Sequence, residues 1–317
     1  MLGLGASHLG MLTPSGYEKA ALKHRVTAIS ALNKHLTKSH FTQQDAEAAF
    51  GAMLNLTFQS AYMSDGLIDF LTMVRGCWLV GTQPSVDLDH TIFKTFGRLS
   101  YLEKIKAIVH EDDRSNHYLD KVIAEGFCQS VQKLGPLCHS VGELQYLAQM
   151  QRIATLASTN PAESKSDRVY SAVYIHTYIL TCFIGYRELA FLYDGLGHLN
   201  TADFTSFIDT KNYASQLVIM HMLVLEFVMS RKAVEGDKRS SIGQKGYYCR
   251  KAMSKVWVQK ILSKLPQEYY EYGEWPLRFI NSLNYSFDDE DQVWKPFMLS
   301  SGTAILPEED TLSLAMR

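Results

Sequence analysis

The spacing of apolar residues constrains the fold of this chain more than any other feature of its sequence. Apolar residues recur at three- and four-residue intervals almost throughout, which is the period of an α-helix with one buried face. No run alternates between apolar and polar residues in the way that a half-buried strand requires. The sequence therefore predicts an all-α fold. A representative stretch, 17–36, repeats apolar residues at helical spacing: Ala21, Leu22, Val26, Ile29, Leu32 and Leu36.

The helical segments follow one another with only short interruptions. Polar, breaker-rich stretches at 158–168 and 235–246 are typical of surface loops, and neither is long enough to require a domain boundary. With 317 residues, 46% of them hydrophobic, the chain can bury a large core. We predict a single large irregular multi-helix domain over 1–284 and an irregular C-terminal tail over 285–317. The predicted helices lie at about 42–60, 66–81, 89–96, 100–110, 115–134, 140–157, 167–193, 203–209, 213–233 and 245–264.

Two helix starts carry capping chemistry, and the first twelve residues raise a separate question. Thr42 precedes a turn with acidic residues, and the stretch 13–15 offers a cap followed by Glu18. The chain opens MLGLGASHLGML, which is apolar and uncharged. It reads as a core helix, with these residues on its buried side: Leu2, Leu4, Ala6, Leu9 and Met11.

Composition excludes several classes of function. The formal net charge is −2, so no positive field attracts nucleic acid or an anionic membrane. The five cysteines are scattered, with no CxxC pair, which argues against a disulfide framework or a zinc site and favours a reducing compartment. The most hydrophobic run, 214–230, carries polar residues and is shorter than the ~20 residues of a bilayer span. We predict no direct nucleic-acid binding and no membrane span.

Two segments, 173–193 and 217–229, are dense in Tyr, Phe and Met. Such side chains line apolar ligand pockets, because aromatic rings form flat walls and methionine adapts its shape. Plain core packing explains the same pattern, and His221 can equally be a core histidine that a backbone carbonyl satisfies. If a pocket is present, we expect these residues to line it: Tyr174, Tyr178, Phe183, Met220, His221, Met222 and Phe227.

An acidic motif at 110–121 supports an alternative hypothesis, in which the protein is an enzyme. Asp112, Asp113 and Asn116 form a D-D-x-x-N arrangement, in which Asp112 and Asp113 can bind Mg²⁺ and, through it, a diphosphate. The motif faintly resembles the aspartate-rich motif of class I isoprenoid cyclases, but the second metal-binding helix of that class has no clean match. Acidic residues at a helix start also stabilise the helix dipole without any metal. Our main hypothesis therefore assigns no catalytic residue, no metal and no cofactor to this chain.

Other motifs add little. The acidic patch at 287–294 is either a solvated tail or a contact for a coactivator. The sequence contains no nucleophile elbow, no HExxH motif, no phosphate-binding loop and no dinucleotide fingerprint after a strand. Catalysis by a familiar motif is therefore unsupported.

The order of several short motifs resembles the C-terminal regulatory domain of fungal binuclear zinc-cluster transcription factors, most nearly the sterol-uptake-control type. The resemblance covers about the first 85 residues, is weak in the middle, and returns in the aromatic segment 265–279. Each motif alone is of low specificity, so the order and spacing carry the comparison. The matching residues are Ser7, His8, Leu9, His24, Arg25, Ala28, Ile29, Asp69, Phe70, Arg75 and Gly76.

This resemblance implies an all-helical domain, a nuclear or cytoplasmic setting, and a hydrophobic pocket that senses a sterol or similar lipid. The six closely spaced cysteines and basic linker of the family's DNA-binding segment are not in this sequence. We therefore expect a lipid-sensing regulatory domain that contacts a transcription cofactor and does not itself bind DNA. A homodimer is left open.

The sequence is also compatible with two other functions. One is a stand-alone Mg²⁺-dependent lyase or cyclase on the same helical fold, acting on a hydrophobic or isoprenoid substrate in secondary metabolism. The other is an interaction scaffold without a ligand.

Overall fold

The computed structural model describes residues 1–12, 16–38, 42–83, 86–96, 102–103, 119, 121–158, 184–189, 191–236 and 254–282. These residues form α-helices, four short 3₁₀ turns and no strand, so the all-α prediction is confirmed for the described part of the chain. The twelve helices are α1 (Leu2–Leu12), α2 (Glu18–Leu36), α3 (Gln43–Ser60), α4 (Leu67–Gly81), α5 (Lys121–Lys133), α6 (Val141–Ser158), α7 (184–189), α8 (Asp194–His198), α9 (Thr201–Ile208), α10 (Tyr213–Gly236), α11 (254–262) and α12 (Tyr270–Ser282).

Most helix positions agree with the sequence pattern to within a few residues. The predicted segment 89–96 instead forms two 3₁₀ turns, Leu88–His90 and Lys94–Phe96. Most of the segments 100–110 and 167–193 lies outside the described residues. Helix α12, which contains Pro276 in its interior, was not among the predicted helices.

Helix α3 begins with the predicted cap. The Thr42 hydroxyl accepts the Asp45 backbone N–H, and the Asp45 carboxylate accepts the Thr42 backbone N–H, which together form a capping box. The start of α2 differs from the prediction, since its N-cap is Tyr17 and makes no side-chain capping bond. The predicted cap at 13–15 lies outside the described residues.

The buried face of α2 differs from the one predicted. Leu22 and Val26 are 56% and 58% exposed, while Arg25 is only 3% exposed. The Arg25 guanidinium donates to the Leu56 carbonyl and the Ser60 hydroxyl of α3, and it forms a 2.8 Å ion pair with Asp69 of α4. These partners on α3 and α4 compensate the buried charge of Arg25. The buried face of α2 therefore contains an arginine, although hydrophobicity alone predicts that only apolar residues lie there.

Helix α1 is peripheral and not a core helix. Leu2 and Leu9, which were predicted to be buried, are 74% and 45% exposed. The helix packs on α2 and α3 through small residues: a Cβ at Gly3 would stand 3.2 Å from the Gln59 side chain and 3.3 Å from His24 Cβ. Gln59 of α3 also donates a 3.0 Å hydrogen bond to the Ser7 hydroxyl.

Two apolar cores form, and α4 belongs to both. The smaller core lies between α2, α3 and α4 and is centred on Ala46, Phe50 and Met53. The larger core takes its side chains from α4 to α12. From α4, Phe70 enters the larger core and Val80 the smaller one. One helix therefore contributes side chains to both cores.

Helix α4 also holds the short helix α8. A Cβ at Gly197 would stand 2.1 Å from the Trp78 indole, so only glycine permits this approach. Arg75 donates to the carbonyls of Leu196 and Leu199 at 3.1 and 3.0 Å, where the end of α8 leaves backbone acceptors without helical partners. Arg75 also lies 4.5 Å above the ring of Phe204, in a cation–π contact.

Candidate ligand-binding core

Helix α10 is the centre of the larger core. Its residues from 215 to 225 are all buried, and it packs against α6, α9 and α12. Four of the predicted ligand-binding residues lie on this helix and are at most 3% exposed: Met220, His221, Met222 and Phe227. The other three, Tyr174, Tyr178 and Phe183, lie outside the described residues.

His221 is fully buried and has two partners. A backbone carbonyl can only accept, so Nδ1–H donates to the Leu217 carbonyl at 2.8 Å. Nε2 then accepts from the Ser130 hydroxyl of α5, 2.9 Å away. Burial lowers the pKa of His221 to about 4, although the Leu217 carbonyl acts in the opposite direction. The imidazole is therefore neutral near pH 7, and it joins α5 to α10.

Glu226 is the one acidic residue between 213 and 229 on α10, and it is half-buried. The Tyr193 hydroxyl donates a hydrogen bond to the Glu226 carboxylate. The Tyr193 ring makes an edge contact with Phe70, whose ring in turn lies 5.5 Å from that of Trp257. This arrangement places a polar group at the edge of the apolar core, where α4, α8, α10 and α11 meet.

Glu143 forms a polar network at the N-terminus of α10 that sequence reasoning missed. Its carboxylate accepts the backbone N–H groups of His139 and Ser140 at 2.8 and 3.0 Å. It also accepts from the Asn212 amide and the Ser215 hydroxyl at 2.9 and 2.8 Å. Burial alone raises the pKa of Glu143, but these four bonds outweigh it and lower the pKa to about 2.

The Glu143 carboxylate thus stabilises the N-termini of α6 and α10 together, where helix dipoles favour a negative charge. The S-x-x-E pattern of Ser140 and Glu143 is a capping-box signature that could have revealed the first half of this network. Nothing in the local sequence indicates the second half.

Two buried polar atoms have no hydrogen-bond partner in the described part of the fold: Tyr146 Oη and Gln259 Nε2. Tyr146 is fully buried and stacks on Phe207, with ring centroids 5.1 Å apart. Burial, with a smaller contribution from the charge of Asp194, raises the pKa of the Tyr146 phenol far above its usual range. The Leu196 backbone acts in the opposite direction and lowers the pKa of Tyr146. Its geometry is nevertheless too poor for a hydrogen bond with the Tyr146 hydroxyl.

Lys255 of α11 is a further buried polar residue, only 3% exposed. Lysine is almost never buried to this extent unless its ammonium is paired, and Lys255 does have an interaction partner. The sequence contained a signal for it, since Lys255 falls on the face of α11 that carries Val258 and Leu262 at helical spacing.

The predicted catalytic alternative involves three residues within 110–121. Asp112, Asp113 and Asn116 lie outside the described residues. Within the described ranges, no group of three or more His, Cys, Asp or Glu side chains is placed to hold a metal ion.

Two cysteines are protonated near pH 7. Burial raises the pKa of the Cys77 thiol to about 11. Burial and the charge of Glu143 raise the pKa of the Cys138 thiol to about 12.

No single described helix is long and apolar enough to cross a membrane. Helix α9 together with Tyr213–Met229 of α10 passes the same test of length and composition, with a bend of 80° between the two parts.

Fold and core together define an all-α protein whose central buried helix is surrounded by apolar side chains and a few specifically placed polar groups. Comparison of the chain with protein-family models, with curated proteins and with solved structures finds no match.

Proposed function

We propose that this chain is the regulatory, lipid- or sterol-sensing helical domain of a fungal transcription regulator, with the larger core as its ligand-binding region. The chain itself carries no zinc-cluster motif, so it acts through the ligand and through a protein partner such as a transcription cofactor. A nuclear or cytoplasmic setting belongs to the same proposal.

The observation that carries the ligand part is the polar chemistry of the larger core. A buried polar atom without a partner costs about 1–3 kcal/mol, and native folds keep few of them. The described residues hold two such atoms, Tyr146 Oη in the larger core and Gln259 Nε2 on α11, and the central helix of that core is rich in adaptable methionine. An apolar site with a small number of polar groups is what binds a lipid and fixes its orientation.

The family part of the proposal is supported by the placement of the matching motifs. Arg25 and Asp69 belong to two motifs 44 residues apart in sequence, and their side chains form an ion pair. Arg75, from the same motif as Asp69, joins α4 to α8. Residues selected only by a resemblance are thus contact residues between helices.

The mechanism is a shift of population between two arrangements of the helices. A ligand shifts such an equilibrium only by its difference in affinity for the two states. Helix α4 packs in both cores, so a change of packing in the larger core alters the support of α2 and α3. A partner-binding surface on those helices would then be exposed or hidden.

The experiment measures sterol affinity of the purified chain in two matched variants. Met220→Phe adds volume in the larger core, whereas Leu144→Phe adds a ring at a site that is 49% exposed. We expect Met220→Phe to weaken sterol binding by about tenfold or more, the effect of an overpacked site at 1–3 kcal/mol. Leu144→Phe is expected to bind as the wild type does. Equal affinities in both variants would contradict the assignment of the site to the larger core.

A further inference from the structure

Helix α2 carries a heptad pattern beside its buried face. Five side chains recur along it at alternating four- and three-residue steps, which is the spacing of the a and d positions in a coiled coil. Such spacing keeps one stripe of a helix turned towards a partner helix. The stripe is about 21 Å long at 1.5 Å per residue. We call it the α2 seam, and its members are Leu22, Val26, Ile29, Asn33 and Leu36.

The α2 seam is largely uncovered by its own chain. Leu22, Val26 and Leu36 are 56%, 58% and 41% exposed, and Asn33 is exposed as well. Ile29 is half-buried, because part of its side chain packs against the smaller core. Single apolar residues scattered over a surface are ordinary, but apolar residues at heptad spacing along one helix form a surface that a second helix can cover.

The residue types of the seam favour a particular partner. Val26 and Asn33 take the a positions, while Leu22 and Leu36 take two of the three d positions. A β-branched residue at a with leucine at d favours a parallel pair of helices, and one asparagine at a fixes the register and the number of strands. The Asn33 amide contains both a donor and an acceptor, so it can pair with the same residue of an identical helix.

Charged residues beside the seam also complement an identical helix. Glu18 takes a g position and Lys23 the e position five residues later, and g and e residues form the salt bridges between paired helices. Both side chains are exposed, and neither forms an ion pair within the described residues. In a parallel pair each Glu18 faces the Lys23 of the other copy, so the contact forms twice. At the next such contact Arg25 is bonded within its own chain and Ser30 is uncharged.

We propose that α2 binds α2 of a second copy of this chain as a short parallel coiled coil. The g side of α2 carries the buried residues Arg25 and Leu32, so this side faces its own chain. In a twofold pair the two g sides point in opposite directions, and the two bodies therefore lie on opposite sides of the coiled coil. An interface of about two heptads is small, so we expect a reversible dimer. This inference goes beyond the proposed function and requires no lipid.

The test measures sedimentation of the full chain at protein concentrations up to about 1 mM. The wild type is expected to show a reversible equilibrium between monomer and dimer. Val26→Glu places two carboxylates opposite each other in the seam and is expected to weaken association by at least about a hundredfold. Val141→Glu is the matched control, because Val141 of α6 is 67% exposed and lies outside the seam. It is expected to dimerise as the wild type does, and urea unfolding checks that both variants are folded.

A charge exchange tests the parallel orientation. Glu18→Lys and Lys23→Glu each bring like charges together at two contacts, and each is expected to weaken association about threefold to tenfold at low salt. The double variant restores opposite charges and is expected to regain the affinity of the wild type. An antiparallel pair would place residue 18 of one helix near residue 36 of the other, so the exchange would have no such effect.

A wild type that remains monomeric at about 1 mM would overturn this inference and leave the seam to a different protein. Equal association of Val26→Glu and the wild type would overturn it too, as would a double variant that associates no better than the single ones. A chain that dimerises through α2 but binds neither sterol nor fatty acid contradicts only the proposed function. Sedimentation and ligand titration thus separate the two proposals.

Discussion

Acidification from pH 7 to pH 5 is expected to destabilise the protein through one buried residue, His221. In the folded chain its pKa is about 4, against an ordinary value of 6.5. Between these two pH values the unfolded chain binds a proton that the folded chain does not. The free energy of unfolding must therefore fall as the pH falls through this window, and it is unaffected by His221 above it.

The magnitude follows from the width of the window. Each pH unit between the two pKa values changes the free energy of unfolding by about 1.4 kcal/mol. From pH 6.5 to pH 5 the loss is about 2 kcal/mol, and at pH 4 it is roughly 3 kcal/mol. The carboxylate of Glu143 does not confuse the measurement, because its contribution is lost only below its ordinary pKa of 4.5.

The assay is urea unfolding at pH 7 and pH 5 for the wild type and for His221→Met. This substitution removes the titrating imidazole and puts an apolar side chain in its place. The wild type is expected to lose about 2 kcal/mol more than the variant between the two pH values. His90→Gln is the matched control, because His90 is 85% exposed in its side chain. An equal loss in the wild type and His221→Met would refute the reasoning.

Three further predictions concern stability, each checked by urea unfolding at pH 7. Glu143→Gln should cost about 2–3 kcal/mol, because charge-assisted bonds are lost at two helix starts, and a loss below 1 kcal/mol would contradict the network. Gly197→Ala should destabilise the protein by about 1–3 kcal/mol, because its methyl group would clash with the Trp78 indole. Gly5→Ala, with open space around it, should be neutral or stabilising. Arg25→Met should cost about 3 kcal/mol, and Asp69→Asn less than about 1 kcal/mol, because Arg25 is buried and the Asp69 side chain is 50% exposed; the reverse order would contradict the assignment.

The helical period and local capping made most of the fold predictable. The capping box of Thr42 and Asp45 depends on residues three apart, so it can be read directly from the sequence. Helix α12 was not predicted, and it forms with Pro276 in its interior because packing of Trp275 against α5 and the larger core favours the helix.

The buried face of α2 was not predictable from hydrophobicity. Arg25 is buried because Asp69 lies 44 residues away in sequence and Leu56 and Ser60 lie on a third helix. No periodicity argument contains these partners. The same reasoning applies to α1, whose exposed leucines look like core residues until the small residues that contact α2 and α3 are known.

The candidate site was predicted in its apolar part and not in its polar part. The methionines and Phe227 of α10 are buried, as the composition of that segment indicates. The Glu143 network and the donors of Lys255 and Gln259 depend on tertiary neighbours and on burial, which a single sequence does not specify.

Calorimetric titration of the purified chain with a sterol and with a long-chain fatty acid tests the central claim, that the larger core binds an apolar ligand. The account predicts saturable binding of at least one of them with one ligand per chain. It also predicts a rise in unfolding free energy of about 2.7 kcal/mol at a ligand concentration of 100 times Kd. The absence of saturable binding and of any stabilisation with both ligands would contradict it.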